Sequence, residues 1–182
     1  MKFTALLSAI ILGALSSQAA AQDTTASTRY QLSVETQLPG VVYPTLMFAN
    51  GSAYIGNIKY NTYSEPLLLS GLNPQYGNGF TSFHSSPTGW QTFFVYENQT
   101  RPISFTVPHS AYIPAGAATT GFGVFDGNFK LQSNGKISEK WIACQVSKAA
   151  TPYDSWQILW NGEGKTMDNC KDVKLIARKE TC

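Results

Sequence analysis

The chain has 182 residues, a formal net charge of +2 and only 13% charged residues. Aromatic residues also reach 13%, which excludes a disordered protein because disordered chains are poor in them. The weak net charge argues against nucleic acid as a partner, since proteins that bind it carry a strong basic field. The length suits one domain that buries most of its apolar surface.

The first 21 residues have the three parts of a secretory signal peptide. Lys2 supplies a positive charge, residues 5–15 are apolar, and residues 16–21 are mostly small, ending in the alanines that a signal peptidase reads. A membrane anchor is the alternative, but the apolar segment is shorter than the roughly 20 residues that span a bilayer. We expect residues 1–21 to be removed, leaving an exported protein with no membrane span and a loose start at residues 22–28.

Alternation of apolar and polar residues is typical of half-buried β-strands, and Gly- and Pro-rich turns separate the alternating segments. No window has a sustained helical period. Residues 22–182 are therefore predicted to form a single all-β domain, an antiparallel β-sandwich or small β-barrel of about nine or ten short strands. The predicted strands lie at residues 30–35, 53–58, 66–69, 91–96, 103–107, 129–132, 137–144, 156–160 and 173–177.

Two dipeptides predict turns in the second half of the chain. Asn134-Gly135 separates two predicted strands, and Asn-Gly is favoured in type I′ hairpins because both central residues need a positive φ. Asp126-Gly127 is also interpreted as a turn. Residues 108–123 are rich in Gly, Ala, Pro and Thr and predict a long loop.

All three cysteines, Cys144, Cys170 and Cys182, lie in the last third of the chain. In an exported protein a disulfide is a commoner use of cysteine than a metal site or a catalytic thiol. Three cysteines allow three different single bridges, and the sequence alone does not choose among them. Pairing of Cys144 with Cys170 is favoured because both lie in or beside predicted strands, whereas chain termini such as Cys182 fray.

Asn50 and Asn98 begin two N-glycosylation sequons, Asn50-Gly51-Ser52 and Asn98-Gln99-Thr100. Both sequons fall in turn-like stretches. We expect both asparagines to lie in exposed loops and to carry glycans.

The residues suited to catalysis are few and scattered. The two histidines, His84 and His109, lie in Ser- and Pro-rich surroundings, and no nucleophile elbow, metal-ligand spacing or phosphate-binding loop is present. Glu139 is predicted to face solvent from a strand, and Asp126 belongs to a turn. The sequence predicts no catalytic residue, no metal site and no cofactor.

Trp156 and Trp160 lie four residues apart on a predicted strand and therefore on the same face. Ile158 shares that face, which favours the core. The alternative is an exposed face where these residues, together with Trp90, stack on sugar rings in a lectin-like module. A small glycosidase would instead need two carboxylates facing each other across a cleft.

Basic residues are concentrated in residues 130–182, which hold nine Lys or Arg against six acids. The simplest interpretation is a solvated basic face. The alternative is a site for an acidic glycan or an acidic partner.

Residues 109–117, 141–144, 156–158 and 170–175 carry a resemblance to a known family. Within residues 105–177 the chain resembles the PhiA-like fungal secreted cell-wall proteins, in a Pro/Gly-rich stretch that begins His-Ser and in a late pattern of cysteines around Trp-Gln. The resemblance implies a cell-wall location, a part in spore-forming cells for some members, and recognition of related members by plants as elicitors. It implies no enzymatic activity. It also implies a Cys144–Cys170 bridge, with Cys182 outside the pattern.

The resulting hypothesis is a secreted, non-catalytic fungal cell-wall or extracellular glycoprotein that contributes to wall integrity or contacts a host. Its expected partner is a cell-wall polysaccharide or a wall or host protein, with no nucleic acid and no membrane. The alternative function is a glycan-binding lectin-like module or a small glycosidase.

Overall fold

The computed structural model describes residues 28–56, 58, 64–72, 79–81, 91–146 and 154–180. The predicted signal peptide, residues 22–27, His84, Trp90 and Cys182 lie outside these ranges. The described residues include no helix of the length and apolar character that crossing a membrane requires.

The described residues form short β-strands that pair only in the antiparallel sense, and the all-β prediction is confirmed. There are seventeen strands in this part of the chain, more than predicted, because many are pieces of two or three residues. The strands are β1 (Arg29–Val34), β2 (Met47–Ala49), β3 (Ser52–Gly56), β4 (Ser64–Pro66), β5 (Leu68–Ser70), β6 (Gly79–Thr81), β7 (Gln91–Tyr96), β8 (Thr100–Pro102), β9 (Ser104–Phe105), β10 (Ala117–Ala118), β11 (Phe122–Phe125), β12 (Asn128–Ser133), β13 (Lys136–Ser138), β14 (Trp141–Gln145), β15 (Ser155–Asn161), β16 (Cys170–Asp172) and β17 (Leu175–Lys179).

Two sheets enclose the core. In the first sheet β12 pairs with β11, β13 and β17, and the sheet continues through β1, β5 and β6. In the second, β15 lies between β14 and β3, and β16 and β2 extend the two sides. Strand β7 pairs with β6 of the first sheet and with β9, which joins the second. The two sheets therefore curl into a half-barrel.

The first and last described strands are neighbours. β1 and β17 pair over five residues, from Tyr30 opposite Lys179 to Val34 opposite Leu175. β1 also pairs with β5 on its other side. The first sheet is thus completed only when both ends of the described chain are in place.

Aromatic rings run through the core in continuous contact. Ring centroids of successive members are 4.8–5.7 Å apart, distances at which offset-stacked and edge-to-face pairs are favourable. The series consists of Phe48, Phe105, Phe93, Phe122, Phe129, Trp141 and Trp160. Aliphatic side chains of both sheets surround it, including Leu32, Leu46, Ile55, Leu69 and Ile158.

The predicted hairpin at Asn134-Gly135 is confirmed. Asn134 has φ 49° and Gly135 has φ 74°, and Ser133 pairs with Lys136 across the turn. Asp126 and Gly127 have the same positive signs and connect β11 to β12.

The prediction of a single strand at residues 137–144 is wrong. Ile137 is 52% exposed and Trp141 is 1% exposed, whereas residues four apart on one straight strand share a face. β13 ends in the first sheet and β14 begins in the second, so the chain crosses between sheets at residues 139–140. Glu139 consequently lies between strands, partly buried, with a carboxylate oxygen 3.7 Å from the Lys130 ammonium.

The predicted Cys144–Cys170 disulfide is confirmed. The two cysteines are directly opposite each other on β14 and β16, with their Cα atoms 4.0 Å apart. The bridge attaches the short strand β16 to the second sheet.

Candidate binding site

The loop between β1 and β2 presents the most exposed large hydrophobic side chains of the described chain. We define residues 37–43 as the 37–43 loop. Val42 and Tyr43 at its tip are each 79% exposed. Exposed apolar groups that cluster on one element mark interaction sites more often than scattered ones do.

Contacts with the body of the domain hold this loop in place. Leu38 is buried in the core and Val41 packs against it. The Trp156 indole Nε1–H donates to the Pro39 carbonyl at 3.1 Å, and the Val34 N–H donates to the Pro44 carbonyl at 2.9 Å. Tyr43 and Val42 therefore extend from an anchored segment.

Glycine is required where the loop meets the second sheet. Gly40 has φ 76°, and a Cβ there would lie 2.7 Å from the Asp154 Cβ. Gly56, at the end of β3, has φ 93°, and its Cβ would lie 2.6 Å from the Asp154 carbonyl oxygen. Only glycine combines this backbone conformation with so close an approach.

Two concavities flank the loop tip. One, of about 480 Å³, is lined by residues 37–42 and by Lys171 of β16. The other, of about 200 Å³, is lined by Gly40, Val42, Tyr43 and Gly56. Lys171 is exposed and forms no ion pair with a described residue. One end of the domain therefore carries the aromatic ring of Tyr43, the aliphatic side chain of Val42, the amide of Gln37 and the ammonium group of Lys171.

The tryptophans proposed for glycan contact do not form this site. Trp156 is 4% exposed and Trp160 is 1% exposed. Neither ring is accessible for stacking on a sugar, and both belong to the core. The alternation of β15 turns both residues inward with Ile158. Trp90 lies outside the described residues. Trp156 still serves the site, as the residue that positions Pro39.

Sequence reasoning missed Val42 and Tyr43. The available signal was the apolar pair Val42-Tyr43, which follows Val41 between Pro39-Gly40 and Pro44 in a segment too short and too rich in turn residues to form a strand. Such a pair has no sheet to pack in and is a candidate for exposure.

The other residues considered for catalysis lie in positions that the fold itself explains. His109 and Asp126 are exposed at positive φ in a loop and a turn, and Glu139 pairs with Lys130. Among the residues that the structure describes, no group of three or more His, Cys, Asp or Glu side chains could hold a metal ion.

The two predicted glycosylation sites lie at the other end of the second sheet. Asn50 is exposed in the turn before β3, and Asn98 is exposed in the turn between β7 and β8, next to the end of β15. Gly40 of the 37–43 loop lies beside Asp154, and the loop lines a concavity with Gly56, so it lies at the opposite ends of β3 and β15. The length of β15 separates the two ends by roughly 20 Å, given a rise of about 3.3 Å per residue.

The molecule is an all-β domain of two curled antiparallel sheets with one anchored, apolar-tipped loop. It belongs to the family described as a domain of unknown function, DUF7907, which matches residues 68–178. No curated protein and no solved structure gave a match to the chain. The matched segment begins at β5, but β1 pairs with β5 and β17, and β3 pairs with β15. The folded unit therefore includes strands on the N-terminal side of the matched segment.

Trp156→Phe is expected to loosen the 37–43 loop while the core stays intact. Phenylalanine keeps most of the buried ring but removes the N–H that donates to Pro39, a bond worth about 0.5–1.5 kcal/mol. Amide hydrogen exchange of residues 37–43 should accelerate roughly two- to tenfold.

Trp160→Phe is the matched control for this variant. It removes the corresponding indole bond, 2.9 Å to the Glu97 carbonyl, at the other end of the same strand. Exchange of the 37–43 loop should not change. Equal acceleration in both variants would show that the Pro39 bond does not hold the loop.

Proposed function

We propose that the chain is a secreted, non-catalytic protein of a fungal cell wall or extracellular matrix that binds wall polysaccharide with the 37–43 loop. The observation that carries the proposal is the anchored loop, which holds Tyr43 in solvent at the edge of one concavity and shares Gly40 and Val42 with a second. Tyrosine joins a flat apolar ring to a polar tip and suits ligands that have both characters.

Sugar residues have this dual character. The axial C–H groups of a pyranose form an apolar face, and its hydroxyls form a polar rim. Tyr43 and Val42 supply apolar contact, while Gln37 and Lys171 supply an amide and a cation. The ammonium of Lys171 favours sugars that carry a carboxylate or another acidic group.

The proposed location is supported by the signal-peptide pattern, the two sequons and the resemblance to PhiA-like wall proteins. A disulfide within the domain is typical of exported proteins. A non-catalytic role accords with the surroundings of two carboxylates: Asp126 lies in a turn, and Glu139 forms an ion pair with Lys130.

Tyr43→Ala is expected to weaken retention on wall polymers. The glycosylated protein would be incubated with insoluble chitin, β-glucan, an acidic polysaccharide and whole fungal walls, and the bound fraction measured against polymer concentration. Loss of one aromatic contact should weaken binding roughly two- to tenfold. Stability should not change because the side chain is exposed.

Tyr112→Ala is the control, since Tyr112 is 73% exposed in a different loop. It should bind as the wild type does. A wild-type protein that no polymer retains, or a Tyr43→Ala variant that binds normally, would overturn the proposal. Release of reducing sugars from a polymer would favour the glycosidase alternative.

A second candidate function is contact with a wall or host protein. The observation that favours it is the exposure of Val107, Tyr112 and Ile113 in the loop before β10. Apolar side chains exposed together are typical of protein interfaces. The protein would be cross-linked to fungal walls or plant tissue, and its adducts with other proteins identified. The Tyr112→Ala/Ile113→Ala variant should lose these adducts, whereas Tyr43→Ala should retain them.

A further inference from the structure

We propose that Asn50 and Asn98 can receive glycans only before the chain folds, because the folded domain uses the hydroxyl group of each sequon as a structural hydrogen-bond donor. This inference concerns a modification and not polymer binding. It rests on the export proposed above.

The hydroxyl of the first sequon takes part in one buried and one partly buried hydrogen bond. Asn50 is exposed, at φ 47° in the two-residue turn between β2 and β3. Ser52 is only 5% exposed, and its Oγ–H donates to the Ile103 carbonyl at 2.6 Å. The same oxygen accepts a hydrogen bond from the Gln157 side-chain amide at 3.2 Å. The asparagine is thus accessible while the hydroxyl is not.

The second sequon is closed by the turn that follows β15. The Thr100 hydroxyl donates to Asn161 Oδ1 at 2.8 Å, and the Thr100 N–H donates to Glu163 Oε2 at 2.9 Å. Asn98 itself is exposed. Asn161 Oδ1 also accepts from the Lys165 N–H, which fixes the acceptor in place.

The turn also holds the middle residue of the second sequon. The Gly162 N–H donates to the Gln99 carbonyl at 3.1 Å, and a Cβ on Gly162 would lie 2.5 Å from the Gln99 nitrogen. The hydrogen bond from the Lys165 side chain, and to a lesser extent that from the Thr100 N–H, lowers the pKa of the Glu163 carboxyl. The backbone of Gln99 and both the N–H and the hydroxyl of Thr100 are therefore hydrogen-bonded, whereas the Asn98 side chain is exposed.

The chemistry of transfer explains why these bonds matter. The enzyme joins the asparagine Nδ2 to the anomeric carbon of a lipid diphosphate-linked oligosaccharide. The bond from that carbon to the diphosphate breaks, the lipid diphosphate leaves with the bonding electrons, and the amide loses one proton. The enzyme must contact the Ser or Thr hydroxyl two residues on at the same time. A hydroxyl has one proton to donate, and in both sequons the fold already uses it.

The residues that form hydrogen bonds with the two sequon hydroxyls are synthesised after the sequons themselves. Ser52 is 51 residues before Ile103 and 105 before Gln157, and Thr100 is 61 before Asn161. At a synthesis rate of about 5–20 residues per second, this leaves an interval of seconds in which both sequons are open. Glycans attached then would project from the end of the domain opposite the 37–43 loop and leave it accessible.

The test uses purified components. The unglycosylated chain, with the Cys144–Cys170 disulfide formed, is incubated with oligosaccharyltransferase and a lipid-linked oligosaccharide, and each site is quantified by mass spectrometry. The same chain, reduced, carboxymethylated and verified by circular dichroism to be unfolded, is treated in parallel. Transfer to Asn50 and Asn98 should be about tenfold slower or more for the folded chain, because the hydrogen bond of each sequon hydroxyl must break first.

An unstructured C-terminal tag that contains Asn-Ala-Thr is the internal control, and it should be modified equally in both samples. Equal rates at Asn50 or Asn98 in the folded and unfolded chains would overturn the inference. The experiment contains no wall polymer, so its failure is distinct from a failure of polysaccharide binding.

A release variant tests the hydroxyl itself. Asn161→Ala/Glu163→Ala removes both acceptors of Thr100 and leaves the bonds of Ser52 unchanged. With folding verified by circular dichroism, transfer to Asn98 should rise severalfold while transfer to Asn50 stays low. A folded variant with unchanged transfer at Asn98 would overturn the inference. Asn161→Ala alone, which removes the acceptor of the Thr100 hydroxyl, serves if the double variant does not fold.

Discussion

Replacing Trp141 by alanine is expected to lower the free energy of unfolding by about 3–5 kcal/mol. Trp141 is 1% exposed, and its ring contacts Phe129 at 5.5 Å and Trp160 at 4.8 Å between centroids. Its Nε1–H also donates to the Phe129 carbonyl at 2.7 Å. Truncation would leave a cavity where the two sheets meet and remove that bond.

Urea unfolding followed by circular dichroism would measure this effect, with the disulfide intact in all proteins. Trp141→Phe keeps an aromatic ring and should lose less stability than Trp141→Ala. Ile137→Ala, at an exposed position on β13, should stay within about 0.5 kcal/mol of the wild type. A Trp141→Ala protein as stable as the wild type would show that the ring series is not the centre of the core.

Cys144→Ala/Cys170→Ala is expected to lower the free energy of unfolding by about 3.5 kcal/mol in the chain-entropy model. The bridge closes a loop with a sequence separation of 26 residues. The turn that closes the Thr100 sequon lies within this loop. Amide exchange around residues 161–170 should therefore accelerate more than exchange in β1 and β17.

Thiol titration under denaturing conditions is the companion measurement. Three cysteines with one bridge leave one free thiol per wild-type chain. Cys182→Ala should remove this thiol and retain the bridge. A Cys182→Ala protein in which two thiols react would show that Cys182 takes part in the native pairing.

Local signals in the sequence predicted the parts of the fold that depend on local physics. Asn134-Gly135 fixes a two-residue turn because both residues tolerate positive φ, and the structure has that turn. Alternation along residues 156–160 assigned Trp156, Ile158 and Trp160 to one face, and all three are buried. The disulfide followed from the strand positions of its cysteines.

The failures arose where distant segments decide the outcome. The crossing at residues 139–140 falls within residues 137–144, where no Gly or Pro marks the end of a strand. The pairing of β1 with β17 joins distant parts of the chain and leaves no local signal.

The candidate site was the least predictable feature. Tryptophan is the usual first candidate for sugar stacking, yet Trp156 and Trp160 are buried in the core and the exposed ring at the candidate site belongs to Tyr43. Exposure is a property of the assembled domain. It depends here on Trp156, Gly40 and Asp154, which hold the loop against the ends of β3 and β15.

The neighbouring positions of β1 and β17 determine how the domain bears mechanical tension. Residues 29 and 179 lie at the same end of the strand pair, so force between them would peel the five residue pairs apart one after another. The 37–43 loop leaves the opposite end of β1, beyond Val34. Tension between that loop and residue 179 would instead slide the two strands along each other and load all five pairs together. The same domain is compliant when stretched between its ends and stiff when stretched between its loop and its C-terminal strand.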